Sequence, residues 1–303
     1  LAGAAAVVAL VPVLGASFDG RWSMPAGDHA RALGFIDEEN ENESFRVLWL
    51  GNPSALPLGS WELTDDIAYA TTDDGNPRLQ DLLVGSDDGV TSLLADAVDL
   101  ARHGETARLG RLLAPMGVRY VVVPERRAPA PFAAPDLPVA EELLVTLDAQ
   151  LDLEPLDVPA GLNVYRNQAF TPTRAAFTGE PGLDTSGGIS GAARLDLSTG
   201  ERVLTESDRR LSWSGPVEPD STVLFSAAHS ANWSLTVDGQ DVDHTKSFGW
   251  ANAFEITDSG EGHLEYATPL LRYGLIGLQG LVWLVVLRQL IKRPARGAST
   301  VVR

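Results

Sequence analysis

Residues 109–124 read LGRLLAPMGVRYVVVP, and they hold a complete structural transition. Leu109, Leu112, Leu113 and Met116 recur at helical spacing, which predicts one apolar helix face. Gly117 follows directly, at the place where glycine ends a helix in the left-handed conformation. Val118–Val123 is then an unbroken β-rich run, the signature of a strand buried on both faces. A helix delivered by one glycine into a fully buried strand predicts a sheet covered by helices.

The neighbouring segments extend this unit. Phe45–Gly51 (FRVLWLG) is a short apolar strand ending in glycine. Val90, Leu93, Leu94, Ala97 and Val98 follow helical spacing, and Leu143, Leu144, Leu147 and Leu151 form a third helical stripe. Leu162–Tyr165 reads as a closing strand, and the Pro/Ala-rich stretch 128–138 as a loop. Strands alternating with helices predict an α/β unit over residues 45–170. A linker with Pro172, Pro181 and Gly182 is expected over 171–186. From 187 to 269 the pattern changes to short strands at Arg210–Trp213, Thr222–Ala227, Trp233–Val237, Ala253–Ile256 and His263–Tyr266. Asp238-Gly239 is a hairpin turn signal, and the spacing predicts a small antiparallel β-sandwich. The expected fold class is therefore α+β and multidomain: an α/β sheet-and-helix domain, then a sandwich.

Apolar runs flank this region. Leu270–Ile291 has the length and apolarity of a transmembrane helix. The tail 292–303 behind it carries Lys292, Arg293, Arg296 and Arg303. All 41 Asp+Glu lie between residues 17 and 269 with 17 Lys+Arg, a net charge of −24. Basic flanks stay cytoplasmic, so the expectation is a plasma-membrane protein with its acidic bulk outside and its tail inside. Residues 1–16 are apolar without a basic leader, and read either as the end of a further span or as part of a signal peptide. Residues 17–44 read as a juxtamembrane connector, with Asp37–Glu43 (DEENENE) as a solvated run.

Composition and motifs exclude more than they identify. No cysteine is present, so neither a disulfide framework nor a thiolate metal site is expected. The acidity argues against nucleic acid as a partner. The pairs Asp65-Asp66, Asp73-Asp74 and Asp87-Asp88 read as solvated loop residues rather than catalytic dyads. The five histidines show no HxH or HExxH spacing, so neither metal nor other cofactor is expected. No GxSxG elbow occurs, since Gly188-Ile189-Ser190-Gly191 is misspaced, and Gly51-Asn52-Pro53 lacks the glycines of a dinucleotide loop. No catalytic residue emerges. Trp213, Trp233, Phe248, Trp250 and Phe254 offer either aromatic core or a sugar-stacking platform. Alternation puts Trp233, Leu235 and Val237 on one apolar face, which predicts that Trp233 is core. Trp250, between Gly249 and Ala251 in an expected loop, reads with Phe248 as the contact for a glycan, a partner or the membrane interface.

The order LxxMGVRYVVV, GLNVYRN, ANWSLTVDGQ, FGWANAFEI and GHLEYATPLLRYGLIG, over roughly residues 110–290, resembles the C-terminal extracytoplasmic region of large actinobacterial membrane glycosyltransferases. It is also similar to the corresponding end of the YfhO-like membrane family. The resemblance implies a multi-span enzyme that builds cell-envelope glycans from lipid-linked or nucleotide-activated sugars. It further implies catalytic acidic residues outside this chain, so none is carried over. Membrane lipid and cell-envelope glycan or lipid-linked sugar are the implied partners. This portion would position glycan or brace the catalytic core. The alternatives are a non-catalytic anchored envelope protein that binds polysaccharide or a protein partner, and an anchored hydrolase.

Overall fold

The computed structural model describes residues 29–292 except 57–58, 65, 74, 76, 78–88, 126–140, 159–160, 179–186, 210 and 269. The N-terminal apolar run, the basic residues behind Lys292, the 128–138 loop, the Asp87-Asp88 pair and the second half of the expected linker lie outside the described residues.

The chain begins with α1 (His29–Ala32) and α2 (Gly34–Glu43), then β1 (Arg46–Gly51), β2 (Trp61–Thr64) and β3 (Ile67–Thr72). Helix α3 (Val90–Arg102) follows, then α4 (Leu109–Leu113), which tightens into a 3₁₀ turn at Ala114–Met116. Next come β4 (Val118–Pro124), α5 (Glu141–Asp148), β5 (Leu153–Leu156) and β6 (Leu162–Asn167). The six strands form one sheet in the order β2-β3-β1-β4-β6-β5. Only β1 and β4 are parallel; every other pair is antiparallel.

Strand β4 is central because both of its faces bury apolar side chains. Val118, Val121 and Val123 join Leu48 and Leu50 of β1 under α3, α4 and α5. Tyr120 and Val122 join Val47 and Trp49 on the opposite face, under Leu33 and Ile36. The step that changes faces is a register shift: Arg46 pairs with Val118 but Val47 with Tyr120, so Arg119 is an extra residue in β4. Gly117 ends the 3₁₀ turn at φ +68°, and a Cβ there would lie 2.7 Å from Thr173 Cγ2. Both handedness and space therefore demand glycine.

Three expectations need correction here. Asp37–Glu43 is not an irregular connector but most of α2; Leu33 and Ile36 at its start are fully buried, while Asp37 and Glu38 stay exposed. Its acidic face docks: Glu39 accepts a hydrogen bond from Tyr120 Oη and pairs with Arg166 at 3.2 Å, and Glu43 lies 3.4 Å from Arg119. The stripe through Leu151 also stops early. Helix α5 ends at Asp148 and Leu151 is 76 % exposed, because Gln150 bends back to the Thr146 carbonyl and caps the Leu109 N–H at 2.9 Å. Finally, β2, β3 and β5 were not foreseen, and they make the sheet mostly antiparallel.

Tyr120 and Tyr165 carry a pH dependence. Burial, and then the bond to Glu39, push the Tyr120 phenol up to about 12, with Arg166 opposing. Burial, and then Asp148 at 2.9 Å, raise Tyr165 further. A phenol whose folded pKa is raised stabilises fully below the unfolded value of about 10 and loses that contribution as pH climbs through its folded pKa. The urea midpoint should therefore fall between about pH 9 and pH 12. A Tyr120→Phe/Tyr165→Phe double variant should show a flatter decline, and an identical decline in both proteins would refute the assignment.

The second half is built from β7 (Arg174–Thr178), α6 (Gly188–Arg194), a 3₁₀ turn (Leu197–Thr199), β8 (Glu201–Arg202), β9 (Glu206–Arg209), β10 (Ser212–Val217) and β11 (Ser221–Phe225). It continues with β12 (Trp233–Val237), β13 (Gln240–Asp241), β14 (Asp243–Ser247), β15 (Ala251–Ile256) and β16 (Gly260–Tyr266). Two five-stranded antiparallel sheets result, β13-β12-β16-β10-β9 and β14-β15-β11-β7-β8. Val217, Trp233, Leu235, Val237 and Leu264 of the first share one cluster with Ala176, Val223, Phe225, Phe254 and Ile256 of the second. Asp238 (φ 48°) and Gly239 (φ 81°) make the expected tight turn between β12 and β13. Residues 174–178, expected within a linker, instead pair with β11.

The halves are packed against each other. Leu224, Phe248, Trp250 and Ala251 belong to the same cluster as Leu48, Leu94 and Val118. Ser226 Oγ donates to the Pro115 carbonyl at 2.7 Å, and Arg111 Nε to the Leu195 carbonyl at 2.9 Å.

The last element, α7 (Leu270–Lys292), follows β16 after three residues. Its side chains are described from Gly274 to Arg288, about 22 Å of helix at 1.5 Å per residue. Among the residues whose side chains are described, no helix is long and apolar enough to cross a membrane.

Candidate functional site

The aromatic platform considered above does not form. Trp233 and Phe254 are buried, while Trp213 is half-buried and packs against Phe225 and Trp233 with ring centroids 5.6 and 6.1 Å apart. Arg174 covers Trp213 with its guanidinium 4.7 Å from the ring. Burial, with the nearby charges of Arg202 and Arg46 adding, pushes this guanidinium down to about 10.

Phe248 and Trp250 are not on the surface either; they are 2 % and 3 % exposed. The sequence places Trp250 correctly in a loop; it and Phe248 lie in the turn between β14 and β15, where Phe248 takes φ 48° and Gly249 φ 78°. That turn faces the α/β unit rather than solvent, and an isolated loop pattern carries no signal for such docking. Both aromatics accordingly join the core that the two halves share.

Trp250 forms one wall of a cavity of about 150 Å³ at this seam. Arg46 and Leu48 of β1, with Tyr69 and Thr71 of β3, reach it from the sheet. Leu94 of α3, Met116 and Val118 close the apolar side, and Ala227 and Ala228 stand beside Trp250. Thr71 is exposed and marks the side facing solvent. The polar groups are held in place: Arg46 Nη1 donates to the Met116 carbonyl at 2.8 Å, and Tyr69 Oη lies 2.8 Å from Thr91 Oγ1. Tyr69 also stacks on Trp61 at 5.3 Å. One group is unsatisfied: the buried Trp250 Nε1 donor has no acceptor. An unpaired buried donor costs ~1–3 kcal/mol.

The loop behind this wall is ordered by a polar cluster. The His229 N–H donates to the Trp250 carbonyl at 2.6 Å. Fully buried Asn252 donates to the Ala227 carbonyl at 2.8 Å, and its Oδ1 lies 2.9 Å from His244 Nε2. The His229 and His244 rings are 4.7 Å apart. Desolvation, then His244 and Lys246, hold the His229 imidazole below its ordinary range, against a hydrogen bond to the Asn252 side chain.

Among the described residues, no three His, Asp or Glu side chains converge on a possible metal position. A recess of about 270 Å³ near Asp238, Asp241, Asp243, Glu255 and Asp258 has no cationic side chain in its lining. Of the acidic pairs, Asp66 and Asp73 are exposed. Arg46, Tyr69 and Thr71 were missed in the sequence; the run IAYATT at 67–72 was the available strand signal.

No family model matches the chain, and no curated protein or solved structure matches it either.

Proposed function

We propose that this chain is the extracytoplasmic, membrane-tethered portion of a polytopic cell-envelope glycosyltransferase, which braces the catalytic core or positions glycan beside it. The observation that carries the tether is α7. Leu275, Ile276, Leu278, Trp283, Leu284 and Leu287 are all more than half exposed, and they lie on every side of the helix. A helix that packs on a soluble core is apolar along one stripe, whereas one immersed in lipid is apolar all round. The 23 residues Leu270–Lys292 extend about 34 Å, against a hydrocarbon core of about 30 Å. The basic tail and the net charge of −24 over residues 17–269 favour an outward-facing bulk. The paired five-stranded sheets, read as a sandwich, then stand close to the membrane surface, with β16 leading directly into the span.

The glycosyltransferase context rests on the resemblance over roughly residues 110–290. A positioning or bracing role, rather than catalysis, is favoured because the described residues bring together no acid–base or nucleophilic constellation.

Topology tests the tether. An alkaline phosphatase fusion at residue 180 should be active and one at the C-terminus inactive. An inactive fusion at 180 in an inserted protein would refute the orientation.

A further inference from the structure

We infer that the end of the second half beside α7, centred on Leu211, rests on the bilayer surface and sets this leucine among the lipid headgroups. This names a partner for the body of the chain, and it rests on the tether proposed above. Leu211 immediately precedes β10. Its backbone is left-handed, φ 68°, and the residue is 44 % exposed. Both are unfavourable for a leucine in water. Its Cβ crowds the following carbonyl in that conformation, which glycine, asparagine or aspartate adopts more readily. The turn itself therefore asks for a small or polar residue. A backbone outlier that carries an exposed apolar side chain points to a use outside the fold.

The surface that covers it follows from what the turn is tied to. The Leu211 carbonyl accepts from the Tyr266 N–H at 3.1 Å, and the Asn232 carbonyl from the Ala267 N–H at 2.8 Å. Asn232 Nδ2 also donates to Tyr266 Oη at 3.2 Å. Two segments thus close around the end of β16, and α7 starts at Leu270, four residues after Tyr266. Four residues reach at most about 14 Å, and the headgroup layer is about 5–8 Å deep on each side of the hydrocarbon core. Even a fully extended link therefore leaves Tyr266 only about 6–9 Å above the lipid. Charge is sorted along the same axis. Asp238, Asp241, Asp243, Glu255 and Asp258 line one recess, which the bonds between Asp238 and Glu261 pin to the start of β16. The seven residues of β16 put that recess about 20 Å from Tyr266, beyond the ~8 Å screening length of physiological salt. Anionic headgroups then repel these carboxylates little, provided that the Leu211 end is the one facing them. At that end Glu265 has His263 Nε2 3.7 Å away.

The chain has no cysteine, so each variant of the full chain with one introduced cysteine can carry a single NBD fluorophore. Leu211→Cys, Asp241→Cys in the acidic recess and Leu278→Cys in α7 are reconstituted into phosphatidylcholine–phosphatidylglycerol vesicles. The vesicles carry no spin label, one near the headgroup, or one deep in the acyl chain. The Leu211 fluorophore should emit to the blue of the Asp241 fluorophore and lose about half of its intensity to the shallow spin label, as a group at the headgroup–acyl boundary does. The Asp241 fluorophore should lose almost none. Quenching of the Leu278 fluorophore by the deep spin label reports that α7 is inserted. With α7 inserted, an unquenched, water-like Leu211 fluorophore overturns the contact and leaves the tether standing. A blue shift that no spin-labelled lipid quenches puts protein against Leu211 and overturns the contact as well. An unquenched Leu278 fluorophore removes the tether, and the contact with it. Urea midpoints in detergent check that the variants fold. If Leu211→Cys does not, Ala231→Cys, exposed on the loop before Asn232, carries the fluorophore at the same end.

Discussion

Trp250→Ala should lower stability by ~3–5 kcal/mol, as much as Trp233→Ala. The two tryptophans look unlike in the sequence. Trp233 opens an alternating strand, and burial along β12 alternates as that pattern requires, with Trp233, Leu235 and Val237 inside. Trp250 stands in a turn among small residues, where nothing in the pattern would bury it. Yet it is 3 % exposed against 7 % for Trp233. Its truncation would also add the indole volume to a cavity that already exists, walled by a sheet and a helix that cannot easily collapse, and the cost rises with residual void volume. Trp250→Phe should be much milder, because the lost N–H has no acceptor and most of the ring remains. Urea denaturation of the three variants measures this directly. A wild-type midpoint for Trp250→Ala beside a destabilised Trp233→Ala would put Trp250 on the surface.

The elements that were legible in the sequence are those whose signal is local. The passage from helix to Gly117 to β4 was readable because helix periodicity, a left-handed stop and a β-branched run each act within a few residues. The turn at Asp238-Gly239 was readable for the same reason. What escaped depends on partners distant in sequence. Helix α2 looked like a solvated acidic run because its docking groups, Tyr120, Arg166 and Arg119, lie far along the chain. The stripe through Leu151 failed because Gln150 is recruited by a helix that starts some forty residues earlier. The seam could not be seen at all: Phe248 and Trp250 are buried by the other half of the molecule. A pattern that identifies strands says little about which strand ends will meet. The cavity follows from that meeting, so Arg46, Tyr69 and Thr71 had no reason to be grouped with Trp250 beforehand.

Asn167→Ala should cost roughly 3–5 kcal/mol, because it leaves several buried groups unpaired at once and each such group costs ~1–3 kcal/mol. Asn167 ends β6 and is fully buried. Its Nδ2 donates to the carbonyls of Gly110 and Val118, both at 2.9 Å, and its Oδ1 accepts from the Ala169 N–H at 2.9 Å. One amide therefore ties the start of α4, the start of β4 and the exit from β6. Its neighbour Asp152 completes the junction by capping the Gly110 and Arg111 N–H groups at 3.0 and 2.8 Å. Gly110 is the point of closest approach: a Cβ there would overlap the Asn167 amide and lie 2.9 Å from the Asp152 carboxyl carbon. Gly110→Ala should consequently be destabilising as well, although glycine is a poor residue inside a helix. Asn167→Asp would not rescue, since it keeps the acceptor but turns a carboxylate oxygen toward two carbonyl oxygens. Asn163, on the same strand, makes one part-buried bond to Glu125 at 3.0 Å. Asn163→Ala should cost only about 1 kcal/mol, the value of one such bond. Urea midpoints at neutral pH for the four variants give the comparison. If Asn167→Ala unfolds no earlier than Asn163→Ala, the amide is not what holds α4, β4 and β6 together.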